Sequence, residues 1–293
     1  MEIKKIFVAG TGLMGGGIAQ VCAQAGYSVT MIDITDELTN KALKAIRWSV
    51  GKLVEKGRVK GSMDEIMGRI KITTDLTAAK DIDFVFEAII ENLDAKRSLF
   101  AELDSICPDY TIFASNSSAI PTTNIAEATQ RGDRFVGTHF FSPVPMTRLT
   151  EIIKGLLTSD ETIEVADSLC KSLGKETIRI NRDVAGFALN RINIPSHIEA
   201  MKLVEAGVVS VEDVDKGMRL GSGRPMGPFE TIDMAGLDIV FTAMSAIYEE
   251  TQDEKFHPPM LFQRKVKIGH LGRKTGIGWY RYDDKGNKIG PAY

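Results

Sequence analysis

Short apolar runs alternate with longer amphipathic stretches through the first half of the chain. The runs at 3–9, 28–32, 84–88, 111–114 and 135–140 predict strands. They are continuous rather than alternating, as strands buried on both faces of a parallel sheet are. Helical periodicity at 13–25, 37–56, 94–105 and 161–172 fills the gaps. Two further strands are predicted at 149–153 and 176–180. Such alternation predicts an α/β fold with a Rossmann-like, doubly wound sheet. Near Asn181-Arg182-Asp183 the pattern changes. Helices are predicted at 187–206, 211–220, 229–249 and 259–267, separated by Gly and Pro, with little strand signal. Two domains are therefore expected: 1–183, a nucleotide-binding sheet domain, and 184–293, an all-α domain.

Composition narrows the options. With 43% hydrophobic residues in 293, the chain can build sizeable cores and is far from a disordered composition. A net charge of −3 argues against a general nucleic-acid or membrane-surface binder. No run approaches the length a membrane span needs, and the first apolar run is too short for a secretory core. Cys22, Cys107 and Cys170 are widely spaced and odd in number. They suggest neither a disulfide framework nor a metal knuckle, so no metal is expected and a reducing cytoplasm fits.

The strongest local signal is Val8-Ala9-Gly10-Thr11-Gly12-Leu13-Met14-Gly15, which follows a predicted strand and opens a helix. Gly10 permits a tight turn, Gly12 lets a pyrophosphate approach the backbone, and Gly15 allows close packing of the helix. The helix amino terminus offers N–H groups and a positive dipole end to phosphates. Asp33 ends the second strand, where a carboxylate can accept from ribose hydroxyls and repel a 2′-phosphate. NAD is favoured over NADP. FAD sites share the glycine fingerprint and stay open at this point.

Of four histidines, His139 lies at the carboxyl end of a predicted strand, where open α/β sheets place ligands. Imidazole, with an ordinary pKa near ~6.5, suits removal of an alcohol proton at neutral pH. Glu151 lies 12 positions on, and two strands joined by a Pro-containing turn could bring the two together. Isolated residues of these kinds are more often structural than catalytic.

A wider set of motifs decides in favour of chemistry. Ala88-Ile89-Ile90-Glu91-Asn92-Leu93, Ala114-Ser115-Asn116-Ser117-Ser118, Gly137-Thr138-His139-Phe140-Phe141-Ser142-Pro143, Pro225-Met226-Gly227-Pro228-Phe229-Glu230 and Gly272-Arg273-Lys274-Thr275-Gly276 occur in order. Together they resemble the 3-hydroxyacyl-CoA dehydrogenases over essentially the whole chain, bacterial 3-hydroxybutyryl-CoA members included. The resemblance implies a Rossmann domain followed by a helical domain that mediates homodimerisation. It implies NAD-linked interconversion of (S)-3-hydroxyacyl-CoA and 3-ketoacyl-CoA. In that family pattern His139 is the base, Glu151 orients it, and Ser118 and Asn190 meet the substrate. Cofactor contacts map onto Gly10, Gly12, Leu13, Met14, Gly15, Asp33, Glu91, Lys96, Ser118, Ser142 and Lys274. Ser49, Lys56 and Ser118 map onto positions that contact CoA. The basic residues Lys41, Lys44, Arg47, Lys52, Lys56, Arg58 and Lys60 would suit its phosphates. The chain departs from the family at Ser142, where Asn is usual. A hydroxyl is shorter than an amide and lacks its paired donor and acceptor. Dehydrogenation of a free hydroxy acid or sugar acid is the alternative enzymatic reading, and a non-catalytic NAD-binding protein is the third. No feature suggests a nucleic-acid partner.

Overall fold

The structure, a computed structural model, describes residues 2–292; Met1 and Tyr293 lie outside the described residues. The chain forms two compact units, Met1–Val184 and Ala185–Tyr293.

The first unit is built on one sheet of eight strands: β1 (Lys5–Ala9), β2 (Ser28–Ile32), β3 (Ile70–Thr73), β4 (Phe84–Glu87), β5 (Ile112–Ser115), β6 (Phe135–Phe140), β7 (Leu149–Ile153) and β8 (Glu176–Ile180). Their spatial order is β3-β2-β1-β4-β5-β6-β7-β8. Pairing is parallel from β3 through β6. It reverses between β6 and β7, then is parallel again between β7 and β8. Strand order turns back between β1 and β4, the switch point outside which such sheets bind ligands.

Helices α1 (Leu13–Gln24), α2 (Asp36–Glu55), α3 (Met63–Gly68), α4 (Leu93–Ile106), α5 (Thr122–Ala126) and α6 (Asp160–Ser172) complete this unit. Successive side chains of a strand enter opposite faces, so each central strand feeds two cores. Ile6, Val8, Phe84 and Phe86 pack with Ile18, Cys22, Ile46 and Val50 of α1 and α2. Phe7, Val85 and Phe113 pack with Phe100 and Leu103 of α4. This two-sided burial explains the unbroken apolar runs. Helix α2 starts where Thr35 caps it, the side chain accepting from Leu38 N–H at 3.3 Å.

The second unit contains α7 (Leu189–Glu205), α8 (Val211–Ser222), α9 (Pro228–Ala235), α10 (Leu237–Thr251) and α11 (Met260–Lys267). The single helix expected at 229–249 is two: Gly236 has φ +100° and the axes bend by 101°. No single helix among the described residues is long and apolar enough to cross a membrane.

The unit also carries a two-stranded antiparallel hairpin, β9 (Tyr280–Tyr282) with β10 (Lys288–Pro291), which the helical reading did not contain. Two buried acids tie β9 to the helices. Asp233 accepts from Trp279 N–H (2.8 Å), Tyr280 N–H (2.9 Å) and the Tyr282 hydroxyl (2.9 Å). Asp215 accepts from Phe229 N–H, Glu230 N–H and the Tyr280 hydroxyl. Burial raises both carboxyls above their ordinary range despite these bonds.

Candidate active site

The turn after β1 is shaped by what its glycines exclude. Gly10 has φ +93°, and a Cβ there would lie 2.4 Å from the Ala88 carbonyl oxygen. A Cβ on Gly15 would lie 1.9 Å from the Gly10 carbonyl oxygen. Gly12, the N-cap of α1, has nothing within 4 Å of a Cβ position. The first turn of α1 has no acidic residue, and Leu13 is exposed.

Asp33 does more locally than the ribose-binding expectation required. Its Oδ2 accepts from Thr11 N–H (2.8 Å) and the Thr11 hydroxyl (2.6 Å), and its Oδ1 from Ile34 N–H (2.8 Å). The acid thus ties the glycine turn to the end of β2. A carboxylate offers about four acceptor positions, so capacity remains for a further donor.

Beyond β4 an acidic network forms around Lys96. The ammonium is 2.6 Å from Glu87 Oε1 and 3.3 Å from Glu91 Oε2, with Lys96 and Glu87 both buried. Lys96 therefore holds two carboxylates from inside the fold, rather than lying on the surface as a solvated contact would. Glu87 also accepts from the Ser115 hydroxyl (2.6 Å) and Ile89 N–H (2.8 Å). Glu91 Oε1 accepts from the Ser117 hydroxyl (2.6 Å), Ser118 N–H (3.0 Å) and Ala119 N–H (3.1 Å). Burial would raise the Glu91 carboxyl, but Lys96 and these donors outweigh it and hold it below its ordinary range. Glu91 so fixes the loop that presents half-buried Ser118.

His139 and Glu151 are direct cross-strand partners in the antiparallel β6–β7 register. His139 Nδ1 lies 2.7 Å from Glu151 Oε2, with the carboxylate fully buried and His139 6% exposed. The Phe141 ring packs on the imidazole at 4.5 Å between centroids. With Nδ1 facing the acid, Nε2 projects from the opposite side of the ring. Asn116 Oδ1 accepts from Phe140 N–H at 2.9 Å, tying the Ser118 loop to β6. The β6–β7 turn rests on α1: a Cβ on Gly17 would lie 2.8 Å from Val144 Cβ. Buried Lys175 donates to the carbonyls of Val144 (2.5 Å) and Thr147 (2.8 Å), fixing that turn from below. Ser142, in the same turn, is exposed and precedes a cis bond to Pro143.

The first unit therefore gathers the glycine turn, Asp33, the Glu91–Lys96 network, Ser118, Ser142, His139 and Glu151 on the loops and strand ends of one sheet. Ser49 (half-buried) and Lys56 (exposed) stand apart on α2 and at its carboxyl end. Asn190 and Lys274 belong to the second unit. Asn190 is half-buried in the first turn of α7, entered through Gly186 (φ +77°) and Phe187 (φ +46°). The Lys274 ammonium bonds both oxygens of Asp238 at 2.6 Å on the surface.

Two family models match consecutive stretches: the 3-hydroxyacyl-CoA dehydrogenase NAD binding domain over residues 5–184, and the C-terminal domain over residues 186–282. The chain belongs to the 3-hydroxyacyl-CoA dehydrogenase family. It is similar to a probable 3-hydroxybutyryl-CoA dehydrogenase of Bacillus subtilis, 42% identical over 97% of this chain and 99% of the relative. A 3-hydroxybutyryl-CoA dehydrogenase of Clostridioides difficile is 39% identical over 95% and 99% of the two chains. The crystal structure of (S)-3-hydroxybutyryl-CoA dehydrogenase from Ralstonia eutropha aligns with TM-score 0.91 and 40% identity, covering 97% of this chain and all of that one.

This dehydrogenase uses NAD, and the first unit fits that cofactor. Gly12 keeps a side chain away from the amino terminus of α1, where a pyrophosphate gains most from unpaired N–H groups. Two contributors escaped the sequence reading. Asn116 lay inside a quoted motif without a role. Lys175 stands alone before β8, and only a tertiary contact reveals what it holds.

Proposed function

We propose that the protein interconverts (S)-3-hydroxyacyl-CoA and 3-ketoacyl-CoA, short-chain thioesters such as 3-hydroxybutyryl-CoA foremost, with a His139–Glu151 dyad handling the alcohol proton. The observation that carries this reading is the 2.7 Å bond between His139 Nδ1 and a fully buried carboxylate. That bond fixes the tautomer with the proton on Nδ1 and leaves Nε2 as the base. In oxidation the substrate O–H bond breaks, its proton passes to Nε2, and the C3–O bond becomes a carbonyl. NAD, when bound, supplies the two-electron acceptor for the C3 hydride. Glu151 stabilises the imidazolium as it forms, and in reduction that imidazolium returns the proton to the ketone oxygen.

Ser118, held by Glu91 through its own N–H, is assigned to the substrate oxygen, CoA and the cofactor, and Asn190 to the substrate. Gly10, Gly12, Leu13, Met14, Gly15, Asp33, Glu91, Lys96, Ser142 and Lys274 are assigned to the cofactor, with Lys96 acting through Glu91. Ser49 and Lys56 are assigned to CoA. The short-chain assignment is supported by the relatives' names. Exposed Leu220, Ile239, Met260 and Ile268 give the second unit apolar surface for pairing with a second copy. Three free, buried cysteines suit a reducing cytoplasm.

The test follows NADH absorbance with acetoacetyl-CoA and, separately, free acetoacetate. Turnover of the thioester alone is expected, with loss of at least about a thousandfold in His139→Gln and unchanged NADH binding. Near-full turnover by that variant would refute the dyad. Preference for free acetoacetate would refute the CoA assignment.

A further inference from the structure

The outward face of α2 carries a feature that the dyad does not explain. Thr39, Ala42, Ile46 and Val50 bury one face of this helix in the sheet unit. On the opposite face Lys41, Lys44, Trp48 and Lys52 follow one another at intervals of three and four residues, which aligns them along the helix. Trp48 is 70% exposed, an indole standing in water on the helix face that carries these lysines. Lys52 is engaged by Glu55 at 2.8 Å, and Arg47 reaches Asp64 at 4.0 Å. Lys41, Lys44 and Lys56 make no ion pair among the described residues.

A flat aromatic surface flanked by cations with spare charge is complementary to a flat π-system that bears phosphates, that is, to a nucleotide. The dinucleotide turn does not need this indole. Trp48 lies 13 positions beyond Thr35, about 20 Å along the helix at about 1.5 Å per residue. Nor does a nucleic-acid strand fit well: the basic stripe is one helix long, on a chain of net charge −3.

We infer that Trp48 is the stacking platform for the adenine of CoA, with Lys41 and Lys44 beside it taking the nucleotide phosphates. This rests on the CoA-thioester reading above and adds to it a residue that sets specificity for the nucleotide end of the substrate.

The chain offers its own reporter. It has two tryptophans, and Trp279 is fully buried. CoA should therefore quench the exposed Trp48 component of the emission, and Trp48→Phe should lose that change. Trp48→Ala should raise KM for acetoacetyl-CoA about tenfold, within the range for a base stacked on an aromatic ring, with kcat within about twofold. For acetoacetyl-pantetheine, which lacks the nucleotide, its KM should match wild type, and Trp48→Phe should keep most of the CoA affinity. An unchanged KM with acetoacetyl-CoA overturns the inference, as does an equal rise with the pantetheine thioester. Quenching by single-stranded oligodeoxyadenylate that CoA cannot reverse also overturns it. If no thioester is turned over, the function proposed above fails, while the CoA titration still decides the role of Trp48: quenching supports it and silence overturns it.

Discussion

Replacing Glu151 by Gln tests whether the buried carboxylate acts on the reaction or merely fills space. The amide is nearly isosteric, and its oxygen can still accept from His139 Nδ1. The ring keeps its tautomer and loses the charge facing it. The bond is 2.7 Å, which puts the charge centres of imidazolium and carboxylate roughly 4 Å apart. At an effective dielectric of about 20 their attraction is about 4 kcal/mol. A proton fully transferred at the transition state would make that a loss of about a thousandfold in kcat. A proton half transferred would halve the energy and give about thirtyfold. Rates should be measured in the direction that charges His139, as NADH formation at saturating (S)-3-hydroxybutyryl-CoA, beside KM for NAD and a thermal melt of each protein. The expected result is a fall in kcat for oxidation of about thirty- to a thousandfold, with KM for NAD within about twofold and the fold intact. A loss below about fivefold in a folded variant would show that the acid does not stabilise charge on His139.

Two further perturbations follow from the packing. His197 is buried on α7 with no partner for Nδ1 among the described residues, and burial, reinforced by Arg224, lowers its pKa to about 4. Below the ordinary value of about 6.5 the unfolded chain binds a proton that the folded one refuses. Stability should therefore fall as pH drops from about 6.5 towards 4, by about 3 kcal/mol in all. Denaturant midpoints against pH should show this slope, and His197→Leu should flatten it; an unchanged slope would remove His197 as the cause. Among the glycines, Gly15→Ala should lower the melting point by at least the equivalent of about 1–3 kcal/mol, because its Cβ meets a carbonyl oxygen at 1.9 Å. Gly12→Ala should melt within about 1 kcal/mol of wild type yet raise KM for NADH about tenfold or more. Wild-type melting of the first variant, or wild-type NADH kinetics of the second, would contradict the roles drawn from the turn.

Central strands and long helices were legible because burial on both sheet faces leaves unbroken apolar runs. Strand β3 and helix α3 were not: β3 mixes Ile with polar residues and is only partly buried, so it leaves no unbroken apolar run, and α3, at six residues, is too short to establish a period. β3 forms because it pairs along β2 at the sheet edge. Gly236 lies inside an amphipathic stretch that continues on both sides, so periodicity read one helix where a positive φ makes two. The hairpin around Tyr280 depends on Asp215 and Asp233, which are remote in sequence. The His139 and Glu151 pair needed the family motifs to be selected, since one His and one Glu at strand ends are common. Asp33 was legible as an acid at the end of β2, but its bonds to Thr11 come from the close approach of two loops. Lys96 could not be told from a surface lysine because burial of an ammonium is set by the carboxylates around it.

The reversal of chain direction at β7 has a consequence for how freely this region can change. The register between β6 and β7 does not rest on their loop alone, because β6 is also paired with β5, β7 is also paired with β8, and a one-residue slip would turn buried side chains outward. His139 and Glu151 face each other through the ladder register, so their separation in sequence only records the present length of the link between β6 and β7. Insertions there can remodel the rim of the sheet while His139 and Glu151 stay opposite each other.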